Sequence, residues 1–196
     1  MAGFKTGFTP VTFVDSEGFE DNVVWEDINA SGAILALAAA GNPGKVEFKD
    51  STGTDTGIST YALALNEKLA DAFEIPHAHK NGSVIYPHIH FQIIEAPTGT
   101  DKVKFKMTYA VARGGVVLSA PSVIYAEADV TTQYAFYNQE FTAIAGTNIN
   151  IGDQFLFTLE RVAASADEFA GEALLATVGL HHQIDTMGSK QKTTKR

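Results

Sequence analysis

The six histidines fall into three short groups, His77-Ala-His79, His88-Ile-His90 and His181-His182. Imidazole ligates transition metals and changes charge near neutral pH, so these groups are where the sequence could do chemistry. Residues two apart in a strand share a face. In the strand-like run Ser83-Val-Ile-Tyr-Pro-His-Ile-His-Phe91, His88 and His90 therefore project together with Gln92, and Ile89, Phe91 and Ile93 point the other way, towards a core. His77 and His79 stand just before the turn residues Lys80-Asn81-Gly82, where a hairpin brings the two pairs near each other. Four imidazoles on one surface, His77, His79, His88 and His90, could bind zinc, iron or nickel. Ordinary hydrogen bonding of the same rings, with no cofactor, is the plainer reading. A ring of one histidine per subunit around a three-fold axis is a third, and acid would then charge it below about pH 6.5.

Other catalytic patterns are thin. The chain has no cysteine, which excludes disulfides, thiolate metal sites and cysteine nucleophiles. It has no Gly-x-Ser-x-Gly elbow, phosphate-cradling glycine loop or dinucleotide fingerprint. The acids Asp15, Glu17, Glu20, Asp21, Glu26 and Asp27 lack the regular spacing of a calcium loop and read as a solvated face. Gly82, His88-Ile-His90 and Glu95 resemble, in spacing, the first half of the cupin motif, which would imply His88, His90 and Glu95 as metal ligands. The second half of that motif has no counterpart downstream, and Gly99 comes too early for its closing glycine. Strict alternation also turns Glu95 away from His88 and His90 unless a bulge intervenes.

The elements that must position these residues read as strands. They are 11–14, 22–28, 45–48, 58–65, 72–75, 83–95, 102–111, 116–125, 134–144, 154–162 and 173–184. Lys102–Val111 is the clearest. Val103, Phe105, Met107, Tyr109 and Val111 fall on one face, and Lys102, Lys104, Lys106 and Thr108 on the other. Turn residues such as Asn42-Pro43-Gly44, Pro97-Thr98-Gly99 and Gly114-Gly115 separate the strands. The chain is long enough for one domain at 196 residues, and its 17 glycines and 13 phenylalanines suit turns and strands rather than helices. The expectation is an all-β sandwich or jelly roll. It divides into an N-terminal arm or edge strand (1–25), the jelly-roll domain (26–188) and a polar basic tail (189–196). The segment 164–173 reads as a helical turn or short loop. A formal net charge of −9 disfavours nucleic acid and anionic membranes as partners. The start MAGFKTGFTP lacks the apolar core of a signal peptide, and the apolar run 33–40 is at most half a membrane span. A soluble protein without a classical export signal follows as an expectation.

Three stretches taken together have a wider resemblance. Ile75-Pro-His-Ala-His-Lys80 with Asn81-Gly82, then Ile85-Tyr-Pro-His-Ile-His-Phe91, then His181-His-Gln-Ile-Asp-Thr-Met-Gly-Ser189, with Val24-Trp-Glu-Asp27 upstream, resemble a family of small virion proteins of tailed bacteriophages and prophages. Phe91 stands where that family more often has Trp. The resemblance implies a jelly-roll structural protein without enzymatic activity, assembling as a homotrimer similar to tumour necrosis factor. It would serve as a capsid decoration (cement) protein, or alternatively as a tail-fibre or receptor-binding component. The implied partners are copies of itself and the major capsid protein or another virion protein. The implied place is the capsid exterior after synthesis in the host cytoplasm. Phe13, Phe19 and Trp25, in an N-terminal segment more apolar than a free tail needs, are the candidate interaction residues.

Overall fold

The computed structural model describes residues 24–185. Phe13, Phe19, the acids from Asp15 to Asp21 and the basic tail lie outside the described residues. Eleven strands run in the order β1 (Val24–Ser31), β2 (Ala36–Leu37), β3 (Gly44–Lys49), β4 (Asp55–Leu63), β5 (Lys68–Glu74), β6 (Ile85–Ile93), β7 (Asp101–Ala112), β8 (Ser122–Val130), β9 (Phe136–Glu140), β10 (Gln154–Val162) and β11 (Ala173–Ile184). One sheet has the order β3-β4-β11-β6-β9, with β1 also on β11, and the other has β2-β5-β10-β7-β8. All the strand pairs are antiparallel. Counted from β4, the sheets run first-eighth-third-sixth and second-seventh-fourth-fifth. That nesting of two Greek keys is the jelly roll, and the protein is an all-β sandwich of that type.

Period-two alternation builds the core between the sheets. Ile89, Phe91 and Ile93 of β6 are fully buried, as are Val103, Phe105 and Met107 of β7. Phe155, Phe157 and Leu159 of β10 meet them from the same side, and Phe155 stacks on Tyr109 at 5.1 Å. Phe91 meets Phe105 edge-on at 5.3 Å across the two sheets. The lysines of β7 stand on the wet face of their sheet. There Lys102 pairs with Asp129, Lys104 with Glu127 and Lys106 with Glu160.

Two expectations need correction. The stretch 116–125 is not one strand. Val116, Val117 and Leu118 lie in an exposed loop, and β8 begins only after Pro121, which has no N–H to give a ladder. The strand then runs on to Val130, through Ala126, Glu127 and Asp129, whose weak β-propensity hid it. The boundary at residue 25 also moves, because β1 pairs along its whole length with β11, from Val24 opposite Ile184 to Ser31 opposite Thr177. It is an edge strand of the domain, and of the segment 164–173 all but Ala173, which opens β11, is a loop.

The outer face of the first sheet is divided in two. At one end β4 meets β11 only through Ala62 and Leu63, and then the β3–β4 hairpin bends over that face. Buried Gln92 holds it there, accepting from the Lys49 N–H at 3.0 Å and donating to the Lys49 carbonyl at 2.8 Å. Phe48 of the hairpin packs on Phe136 of β9 at 5.4 Å. The other end of the same face holds the histidines.

A candidate histidine–carboxylate site

Three neighbouring strands bring the site together by register alone. Asp27 of β1 stands opposite His181 of β11, which stands opposite Tyr86 of β6. One step along, Asn29 stands opposite Gly179, then His88, then Glu140 of β9. All of these side chains rise from the outer face, because the alternate residues Ile28, Val178, Leu180, Ile85 and Ile89 pack into the core.

His88 is fully buried although it lies on the outer face of a sheet. The reason is Gly179. A Cβ there would fall 2.5 Å from His88 Cε1, 2.6 Å from His88 Nε2 and 2.3 Å from Asn29 Oδ1. The missing side chain is the slot in which the imidazole lies. His181 closes the slot from above, its ring stacked on that of His88 at 4.1 Å and 18°, and His90 meets His88 edge-on at 5.2 Å. Neither ring nitrogen of His88 makes a hydrogen bond of good geometry. The nearest opposite charge is Asp27, whose Oδ2 is 3.4 Å from His88 Nε2 and 3.8 Å from His181 Nε2. Asn29 fixes that carboxylate, donating to Asp27 Oδ2 at 2.8 Å. Glu140 approaches His181 from the other side, 3.5 Å from Nδ1. Burial lowers the His88 pKa from the usual histidine value, with His181 and His90 adding to the effect and Asp27 opposing it. The shift favours the neutral ring, which has a lone pair to offer.

Beside this cluster opens a cleft of about 370 Å³ lined by Trp25, Tyr86, Glu140 and His181. Trp25 and Tyr86 meet edge-on at 5.4 Å, and Trp25 remains nearly half exposed.

The four-histidine surface expected from the sequence does not form. His88 and His90 share the outer face as expected, but His79 is buried against His182, with ring centroids 5.5 Å apart. His182 belongs to the core-facing set of β11, alternating with Val178 and Leu180, and its Nε2 lies 3.7 Å from Glu26. His77 is half-buried in the turn before β6. The doublet His181-His182 thus sends one ring to each face of the sheet, and each ring meets one member of an earlier pair. Glu95, the third ligand of the cupin-like spacing, lies beyond the end of β6. It lines a separate cleft with Asp101, Glu168 and Glu172, where burial, and then Glu67 and Glu95, push the Glu172 carboxyl up. Asp27 and His181 were missed as partners of His88. The available signal was the alternation Trp25, Asp27, Asn29, which places all three on one face of a strand.

No family model matches the chain, and no curated protein sequence matches it. Solved structures do align with it. The ANX2 ectodomain from Arabidopsis thaliana superposes with a TM-score of 0.41 and 14% identity, over 80% of this chain and 45% of that one. TmCBM61 in complex with β-1,4-galactotriose gives 0.36 and 14%, over 80% and 86%. A protein of the infectious bursal disease virus Gx strain gives 0.35 and 11%, over 91% and 42%. The chain thus spans less than half the length of the first and third of these.

Proposed function

We propose that this protein is a structural subunit of a phage virion, a homotrimer that decorates the capsid shell and stabilises it by adhesion rather than by catalysis. The observation that carries the reading is the apolar surface left uncovered on one jelly-roll unit. Val117 is 93% exposed and Val116 62%, next to exposed Leu118, and Val123 and Tyr125 stand out from β8, the edge strand of its sheet. Val24 and Trp25 add exposed apolar area on β1, a second edge. Apolar stretches of this kind on a single domain mark surfaces that are covered by a partner. Unpaired strand edges are likewise templates for association. Copies of the same chain and the major capsid protein are the partners that fit the motif resemblance, with the capsid exterior as the place. An acidic surface argues against nucleic acid and anionic membranes as partners. No helix among the described residues is long and apolar enough to cross a membrane.

A specific observation favours a second reading, a receptor- or glycan-binding role at a tail. The Trp25–Tyr86 cleft offers aromatic faces beside Glu140 and His181, the mixture that grips a sugar ring. Light scattering on the purified full-length chain tests the assembly. The expected mass at micromolar concentration is three times the 21.0 kDa chain, because standard interfaces of about 1,600 Å² each would tie the three protomers together. A stable monomer contradicts the trimer.

A further inference from the structure

The geometry points to a divalent transition-metal site formed by Asp27 Oδ2, His88 Nε2 and His181 Nε2, which pins the edge strand β1 onto β11 and β6. It is independent of the virion reading and differs from the histidine set that spacing suggested. One ligand atom from each of the three residues can be chosen so that all lie within 4.8 Å of one another. Among the described residues this is the one group of three such side chains with that property.

Four features make it a built site rather than a chance meeting. First, the distances are close to those required. Ligands about 2.0–2.2 Å from a tetrahedral zinc lie about 3.3–3.6 Å apart, against 3.4 Å and 3.8 Å here. Second, the His88 ring is sunk in the Gly179 slot, with its ring nitrogens free of good hydrogen bonds. Third, the outer contacts are those that metal sites use. Glu140 approaches His181 Nδ1, leaving Nε2 for the ion, and Asn29 orients the Asp27 carboxylate. Fourth, Asp27 and Glu140 form ion pairs only with imidazoles among the described residues. No ammonium or guanidinium competes for them there, and the site attracts a cation.

Two imidazoles and one carboxylate suit zinc, iron(II), cobalt or nickel, not calcium or magnesium, which prefer oxygen ligands. The stacked rings set the one adjustment needed. Parallel rings do not converge their lone pairs, so His181, about one-third exposed, turns towards the ion, and His88 in its slot stays. The ion then joins one side chain from each of three strands, and β1 becomes a fixed part of the sheet.

Zinc titration calorimetry on the full-length, metal-stripped protein tests this. One equivalent is expected with a micromolar Kd, and the melting midpoint rises by a few degrees and returns with EDTA. Asp27→Asn and His181→Gln, both on partly exposed residues, each weaken binding at least tenfold, and Glu95→Gln, in the separate cleft, changes it less than twofold. Circular dichroism shows whether each variant folds. Should one not fold, the other carries the comparison. The inference is overturned by the absence of saturable binding at millimolar zinc. It is equally overturned by binding that survives in the folded Asp27 and His181 variants, which would place the ion on other residues.

Discussion

An Arg161→Met variant is expected to lose about 3–5 kcal/mol of stability, the cost of breaking a buried charged network by removing one partner. Arg161 follows the inward alternation of β10 after Phe155, Phe157 and Leu159, and only 1% of it is exposed. Its guanidinium organises the loop between β10 and β11. Nη1 donates to the Leu63 carbonyl at 3.0 Å and to the Gly171 carbonyl, and Nη2 donates to Glu168 at 2.9 Å and to the Phe169 carbonyl. Methionine fills much of the same volume, so little cavity opens. What remains is a set of buried acceptors with no donor, each costing about 1–3 kcal/mol. Urea unfolding at one fixed protein concentration measures the effect, as a lower midpoint with an unchanged slope. A loss below about 1 kcal/mol would mean that the loop re-forms its contacts with water, and that Arg161 is not its organiser.

Gly179→Ala is expected to have the largest effect on the histidine site. The new methyl would lie 2.3 Å from Asn29 Oδ1 and 2.5 Å from the His88 ring, closer than real Cβ contacts come. Both side chains must move, and Asn29 is the residue that fixes Asp27. The slot holding His88 and the support for Asp27 are therefore lost together. Zinc affinity should fall about 10–100-fold, the usual cost of losing the outer contacts of a metal site, with a stability loss of about 1–3 kcal/mol from overpacking. Gly99→Ala is the matched control, since a Cβ there meets nothing within 4 Å. Calorimetric zinc affinities of the two variants should separate clearly. Equal affinities would show that the Gly179 slot does not hold the ligand.

Much of the fold was legible because a buried strand writes its alternation into the chain. Lys102–Val111 declared both its faces, and the ranges 154–162 and 173–184 coincide with β10 and β11. His88 and His90 on one face and Ile89 and Phe91 on the other followed from the same period. Legibility failed where composition and pairing disagree. Val116-Val117-Leu118 has strand-forming residues but no partner strand. Ala126–Val130 has poor strand formers, yet it is fixed by pairing with β7, Glu127 opposite Lys104 and Asp129 opposite Lys102. The site was half legible for a related reason. Local spacing put His88 beside His90, but the partner that matters more, His181, arrives through the β6–β11 ladder, and Asp27 through the β1–β11 ladder. Nothing local distinguishes Asp27 from the other acids near it. The contrary fate of His79 has the same origin, since it meets His182 in the interior where the chain crosses the end of β11.

A role as a virion subunit acting by adhesion is decided in the particle itself. Quantitative mass spectrometry of purified, salt-washed phage particles, together with a side-chain-resolution map of them, would give copy number and place in one experiment. Hundreds of copies per particle are expected, as trimers on the shell exterior with Val116–Leu118 and β8 covered by a neighbour. A handful of copies at the tail would contradict decoration and favour the receptor-binding reading. Absence from washed particles of a chain abundant in the lysate would contradict the virion role altogether.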